Sequence, residues 1–169
     1  MTNPVLDNDS FQCRDDDVGI NSATFNGGGG KNINHVQDVD VNFRIRYLLQ
    51  ETAGGMVANG TFQLEYNLAG AGWNSVDAAS SVVRSSASGQ FAENATTTQV
   101  LGSGTYTTGD SQGADEVEGL TGKVDFNGND EAEVEYCVQI RSADVTDEQT
   151  IQFRLSLGGT PISETNTLT

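Results

Sequence analysis

The chain has 169 residues, of which 36% are hydrophobic, and 24 acidic side chains against 8 Lys and Arg give a formal net charge of -16. A surface this negative repels nucleic-acid backbones and anionic membranes, and no stretch approaches the roughly 18 consecutive apolar residues of a membrane-spanning helix. We therefore expect neither nucleic acid nor a membrane as a partner. The start of the chain lacks the basic and apolar regions of a secretion signal, so we expect synthesis in a cytoplasm.

Residues 1–35 are rich in Asp, Asn, Ser and Gly and include the run Gly27–Gly30. Because hydrophobicity is low and glycines are flexible, we predict an extended N-terminal arm ahead of a domain that covers residues 36–169. Apolar side chains are spaced along the arm like anchors that dock onto a partner: Leu6, Phe11, Val18, Ile20 and Phe25. Burial of these anchors would have to offset the conformational entropy lost when the arm becomes ordered.

Alternating apolar and polar residues predict the main strands of the domain. The alternation is clearest over four stretches: residues 39–49, 62–68, 133–140 and 151–157. The domain is expected to start near Val36, just ahead of the first of these strands. Gly70-Ala71-Gly72 supplies the turn of a hairpin, and the chain returns at Trp73 and Val76.

The remaining stretches predict loops and short strands. Residues 51–60 and 109–122 are predicted as loops, the second acidic and exposed. Residues 77–94 favour a loop or an irregular edge strand over a helix, because serine is frequent there. Residues 96–108 predict two short strands about a bend, and residues 162–168 predict an edge strand or a tail.

About seven to nine short strands, with no long amphipathic helix, predict an all-β fold: a two-sheet antiparallel β-sandwich, jelly-roll or immunoglobulin-like, with the extended arm appended. The outward charges of its long strands are opposite in sign. We expect Glu133 and Glu135 to pair with Arg44, Arg46 or Arg154 across neighbouring strands. Each such pair, if exposed, would contribute about 1 kcal/mol or less.

The sequence contains no catalytic signature. His35 is the only histidine and no G-x-S-x-G motif is present, so we expect no enzyme activity and no cofactor. Two acidic clusters, Asp7-Asn8-Asp9 and Asp15-Asp16-Asp17, leave calcium binding as an alternative to solvated loops. Cys13 and Cys137 are predicted to be reduced thiols, with one disulfide between them as the alternative.

Several strand sequences, in their order, resemble a β-sandwich module of virion proteins from tailed bacteriophages, of the head decoration or cement kind. The resemblance covers roughly residues 40–158 and leaves residues 1–35 outside it. The stretches that carry it are FRIRY at residues 43–47, FQLEY at 62–66 with Gly72-Trp73, EVEY at 133–136 and IQFRL at 151–155.

The resemblance implies a non-enzymatic capsid decoration or cement protein that binds the outside of the assembled head and stabilises contacts between major capsid proteins. On this hypothesis the arm lies across capsid subunits, and the sandwich packs with copies of itself, a homotrimer being favoured. A tail or baseplate component of the virion is the alternative. A carbohydrate-binding module is a further alternative, with Trp73 and Tyr106 as exposed stacking platforms.

Overall fold

The computed structural model describes residues 2–21 and 31–162 and the backbone of residues 166–168. These residues contain no α-helix, so the all-β prediction is confirmed, and one 3-10 turn covers Ser142–Asp144. The strands are β1 Leu6–Asp15, β2 Asn42–Glu51, β3 Val57–Gly60, β4 Phe62–Leu68, β5 Trp73–Ser75, β6 Val83–Ser85, β7 Ala114–Asp115, β8 Val124–Phe126, β9 Glu131–Ile140, β10 Ile151–Leu157, β11 Thr160–Pro161 and β12 Asn166–Leu168.

The strands form two five-stranded sheets and one separate pair, β3–β8. The first sheet has the order β1-β2-β9-β6, and β7 also pairs with β9. The second sheet has the order β11-β10-β4-β5, and β12 also pairs with β10. Pairing is antiparallel except between β7 and β9. The two sheets share one core, which confirms the predicted antiparallel β-sandwich.

The core lies between the sheets because alternate side chains of each sheet point into the same space. Tyr47 and Tyr136 of the first sheet are fully buried there, as are Phe62 and Phe153 of the second. The Tyr136 hydroxyl donates a hydrogen bond to the Phe62 carbonyl oxygen at 2.7 Å. This bond joins the two sheets across an otherwise apolar layer.

The predicted hairpin is confirmed by the antiparallel pairing of β4 with β5. Gly70 and Gly72 in its turn have φ angles of 81° and 117°, a region that glycine enters without steric cost. Trp73 lies opposite Asn67, and this register places the indole on the outer face of the second sheet.

Residues 6–15 do not form an extended arm but strand β1 at the edge of the first sheet. Strand β1 pairs with β2 over its whole length, with a bulge between Asn8 and Ser10. The polar residues that led to the prediction of an arm lie inside the fold: Asn8, Ser10 and Arg14 are at most 3% exposed. The predicted boundary between arm and domain at residue 36 is therefore wrong for residues 6–15.

Other sequence predictions also differ from the structure. Strand β2 starts at Asn42 because Asp40, with a φ angle of 58°, turns the chain just before it. Residues 96–108 form no strand and make a single bridge, Tyr106 to Glu131. The stretch 109–122, predicted as an exposed loop, contains β7 and the fully buried Asp115.

Candidate partner-binding surface

The five predicted docking anchors do not form a free surface. Phe11 is 7% exposed and belongs to the core, and Ile20 is 9% exposed. Leu6 packs against the core from its edge, and Val18 is half-buried. Phe25 lies outside the described residues. Phe11 lies on β1 and packs in the core, and Ile20 is buried beyond the end of β1, so the chain's own fold uses both and they are not available to dock onto a partner.

The face of the first sheet that points away from the core carries a buried ionic cluster, consisting of Arg14, Arg44, Arg46, Glu133 and Glu135. Each of these residues is at most 1% exposed. The Arg46 guanidinium lies between the carboxylates of Glu133 and Glu135 and pairs with both. Glu135 Oε1 also lies 2.7 Å from Arg14 Nη2 and 3.1 Å from Arg44 Nη1.

Loop backbone covers this cluster and forms further hydrogen bonds with Arg46 and Glu133. The Ile20 carbonyl oxygen accepts a hydrogen bond from Arg46 Nη1 at 2.9 Å. Glu133 Oε1 accepts three backbone N–H bonds at 2.6 to 3.0 Å, from Val100, Leu101 and Gly102. Pairing with charges and with backbone dipoles is what makes burial of such groups tolerable.

The predicted ion pairs thus form with Arg44 and Arg46, but the prediction that they are exposed is wrong. Arg154 pairs instead with Glu65, at 2.6 Å. Burial lowers the pKa of Arg46, but the nearby Glu135 and Glu133 carboxylates raise it by more, so the net shift is upward. Since the cluster has no access to solvent, it can stabilise the fold but cannot receive a ligand.

The chain also has an exposed apolar stretch. Seven large hydrophobic side chains are exposed among the described residues, and four of them lie within residues 33–41, which we call the valine segment. These four are Ile33, Val36, Val39 and Val41, with exposures of 51%, 75%, 41% and 49%. Single exposed apolar residues are ordinary, whereas a local group of them marks a contact surface.

The valine segment forms one wall of a groove of about 780 Å³ at one end of the sandwich. Val36 and Val39 line this wall, and the turn of residues 145–149 lines the opposite one. Ile140, where β9 ends, and Ile151, where β10 begins, also line the groove, although they are only 5% and 3% exposed. The groove therefore opens towards the core between the two sheets.

Hydrogen bonds hold both walls in place. The Asp40 N–H donates to the Ile140 carbonyl oxygen at 2.7 Å, and the Asp40 carboxylate accepts the Ser142 N–H at 3.2 Å. The hydrogen bonds from Ser142 lower the pKa of Asp40. On the other wall, the Thr146 N–H donates to Gln149 Oε1 at 3.0 Å, and the Gln149 N–H donates back to the Thr146 carbonyl oxygen at 3.2 Å. The groove is thus preformed.

The two predicted stacking platforms do not meet. Trp73 is half-buried on the outer face of the second sheet, with the Arg154 guanidinium 4.2 Å from its ring centre. Tyr106 bridges to β9 of the first sheet, and its hydroxyl donates to Thr97 Oγ1 and accepts the Glu133 N–H, both at 3.2 Å. Because Trp73 lies on the outer face of the second sheet and Tyr106 is attached to β9 of the first, they offer no common surface to a saccharide.

The thiols of Cys13 and Cys137 are both buried and unpaired. Cys13 lies on β1 and Cys137 on β9, with β2 between them, so the disulfide alternative is wrong. Burial raises the pKa of Cys13 to about 12 and also raises that of Cys137.

In the part of the chain that the structure describes, no three His, Cys, Asp or Glu side chains are grouped to hold a metal ion, and no helix has the length and apolarity to cross a membrane.

The sequence matches no protein-family model, and no curated protein is significantly similar to it. A functional proposal therefore depends on the surface described above and on the resemblance of the strand sequences.

Proposed function

We propose that the protein is a non-enzymatic structural protein of a bacteriophage virion, a decoration or cement protein that binds the outside of the head and stabilises contacts between major capsid proteins. The observation that carries this proposal is the valine segment, an apolar surface on a chain with a net charge of -16. Such a surface serves protein contacts. The resemblance of the strand sequences to virion sandwich modules supplies the kind of partner.

We thus assign to the valine segment the docking role that the sequence predicted for Leu6, Phe11, Val18, Ile20 and Phe25. Phe11 and Ile20 are buried within the chain, whereas Val36 is 75% exposed. Binding through the valine segment needs no arm to become ordered, so the entropy cost of docking is small. Packing of the sandwich with copies of itself, as a homotrimer, would add avidity without any new type of contact.

A cement protein must also resist deformation under load. Both faces of the first sheet of the sandwich are buried against other parts of the chain. The core holds the inner face, and the buried ionic cluster ties β1, β2 and β9 to the loops on the other face. Removal of one member of such a cluster leaves an uncompensated buried charge, which costs about 3–5 kcal/mol. The first sheet is therefore sensitive to the loss of any one member of the cluster.

Co-sedimentation of the purified chain with undecorated phage heads tests the proposal. We expect saturable binding by the native chain and at least tenfold weaker binding by the double variant Val36→Asp, Val39→Asp. The matched control is Met56→Asp, Val117→Asp, which places the same charges at two other exposed apolar positions. If the native chain fails to bind heads, the proposal is refuted, and a discrete ring in solution would then favour a tail or baseplate component.

A further inference from the structure

We propose that the groove between the valine segment and the turn of residues 145–149 binds a protein segment that presents an apolar side chain flanked by Lys or Arg. The inference rests on the proposed function for the identity of the partner, the capsid surface. The chemistry of the bound segment follows from the groove itself.

The preference for an apolar side chain follows from the residues that line the groove. Val36 and Val39 on one wall, Val145 on the other, and Ile140 and Ile151 beneath them surround the space. Its volume of about 780 Å³ lies within the range of roughly 300–1,000 Å³ that is typical of binding clefts. An apolar side chain that enters would bury itself and cover the exposed valines at the same time, which is favourable for both surfaces.

The basic part comes from the rim. Asp38, Asp147 and Glu148 line the groove and are exposed, and among the described residues that line it there is no Lys, Arg or His. The nearby cations Arg84 and Arg141 interact with Asp40, which does not line the groove.

A partner with Lys or Arg beside its apolar anchor is therefore attracted to the rim, whereas an acidic segment is repelled. The valine segment of a second copy is a poor occupant of the groove, because that segment carries Asp38 and Asp40 and would meet an acidic rim.

The groove needs little rearrangement before it binds. Asp40 fixes the valine wall to β9 through the Ile140 carbonyl oxygen, and the reciprocal bonds between Thr146 and Gln149 fix the turn. A preformed site loses less conformational entropy on binding than a flexible one. Even a short peptide of the right chemistry is therefore expected to bind measurably.

The test is an NMR titration of the full, methyl-labelled chain with a capped peptide that alternates lysine with leucine and valine. We expect shifts confined to the methyl groups that line the groove, those of Val36, Val39, Ile140, Val145 and Ile151. The affinity should fall at least fivefold between about 0.05 and about 0.3 M salt, because exposed charges are screened. The control peptide has glutamate in place of lysine and should cause no shifts.

A variant set tests the role of the rim. The triple variant Asp38→Asn, Asp147→Asn, Glu148→Gln should bind the lysine peptide roughly five- to thirtyfold more weakly, which corresponds to three exposed ion pairs. The matched control Asp9→Asn, Asp110→Asn, Glu118→Gln removes the same charge at exposed positions outside the groove and should bind like the native chain.

Absence of methyl shifts, equal binding of the glutamate peptide, or equal weakening by both triple variants would overturn the inference. Head binding by the native chain with no peptide binding overturns the groove chemistry alone. Peptide binding without head binding overturns the proposed function and leaves the groove chemistry in place.

Discussion

Replacement of Glu135 by Gln should destabilise the protein far more than the same replacement at a partly exposed ion pair. Glu135 is fully buried and pairs with three guanidinium groups, those of Arg14, Arg44 and Arg46. Glutamine has nearly the same shape, so the variant removes a charge and leaves the packing unchanged. Breaking a buried ion pair costs about 3–5 kcal/mol, because the remaining charge is left uncompensated.

The size of this loss of stability depends on which ion pairs the three arginines keep in the variant. Arg46 keeps its pair with Glu133, and Arg44 keeps Asp16 at 3.4 Å. Burial already lowers the pKa of Arg14 to about 10 while the Glu135 carboxylate raises it, so loss of that carboxylate leaves Arg14 the least compensated of the three. We therefore expect a loss of about 3–5 kcal/mol, a large part of the roughly 5–15 kcal/mol stability of a typical domain.

Equilibrium unfolding in urea, followed by circular dichroism, measures this loss. The control is Glu65→Gln, which breaks the partly exposed pair with Arg154 and should cost about 1 kcal/mol or less. If Glu135→Gln proves no more destabilising than Glu65→Gln, the cluster does not hold the first sheet together.

Three further predictions concern titration and reactivity. Burial raises the pKa of Asp115 to about 7, and the Glu93 carboxylate adds to the shift. The native chain should therefore lose stability relative to Asp115→Asn as the pH rises from about 4 to about 7. Carboxyl NMR of the variant Glu93→Gln should show a lower pKa for Asp115. Burial also raises the pKa of Glu51, but backbone N–H bonds, from Asn129 first, lower it to about 2. The stabilising contribution of Glu51 should therefore be complete only above about pH 5 and be lost as the pH falls towards 2. The acid unfolding of Glu51→Gln should lack this step. Both buried thiols, of Cys13 and Cys137, should react with a thiol reagent only after unfolding, and fast labelling of the native chain would contradict their burial.

Strands with one face in the core were predictable because their sequence alternates with a period of two. Residues 62–68 and 151–157 match β4 and β10, and residues 133–140 lie within β9. The other face of the first sheet was not predictable in the same way. Arg46 and Glu133 alternate with apolar residues as solvated positions do, yet loops that are distant in the sequence bury them. The one available signal was the match of opposite charges on two long strands.

Strand β1 was missed for the same reason. Phe11 and Cys13 face the core, but their neighbours on β1 are polar because they face the buried cluster, so the stretch has the composition of a loop. The groove was missed for another reason: its walls come from residues 36–39 and 145–149, which are far apart in the sequence. No local pattern marks such a site. Val39 was predicted to begin a strand, but the turn at Asp40 leaves it outside the sheet, where it lines the groove.

Imaging of phage heads incubated with the purified chain tests the central claim most directly. We expect extra density at regular positions on the outside of the head, with the end of the sandwich that carries Val36, Val39 and residues 145–149 turned towards the capsid. Heads without added density, or sandwiches whose groove end points into solvent, would contradict it.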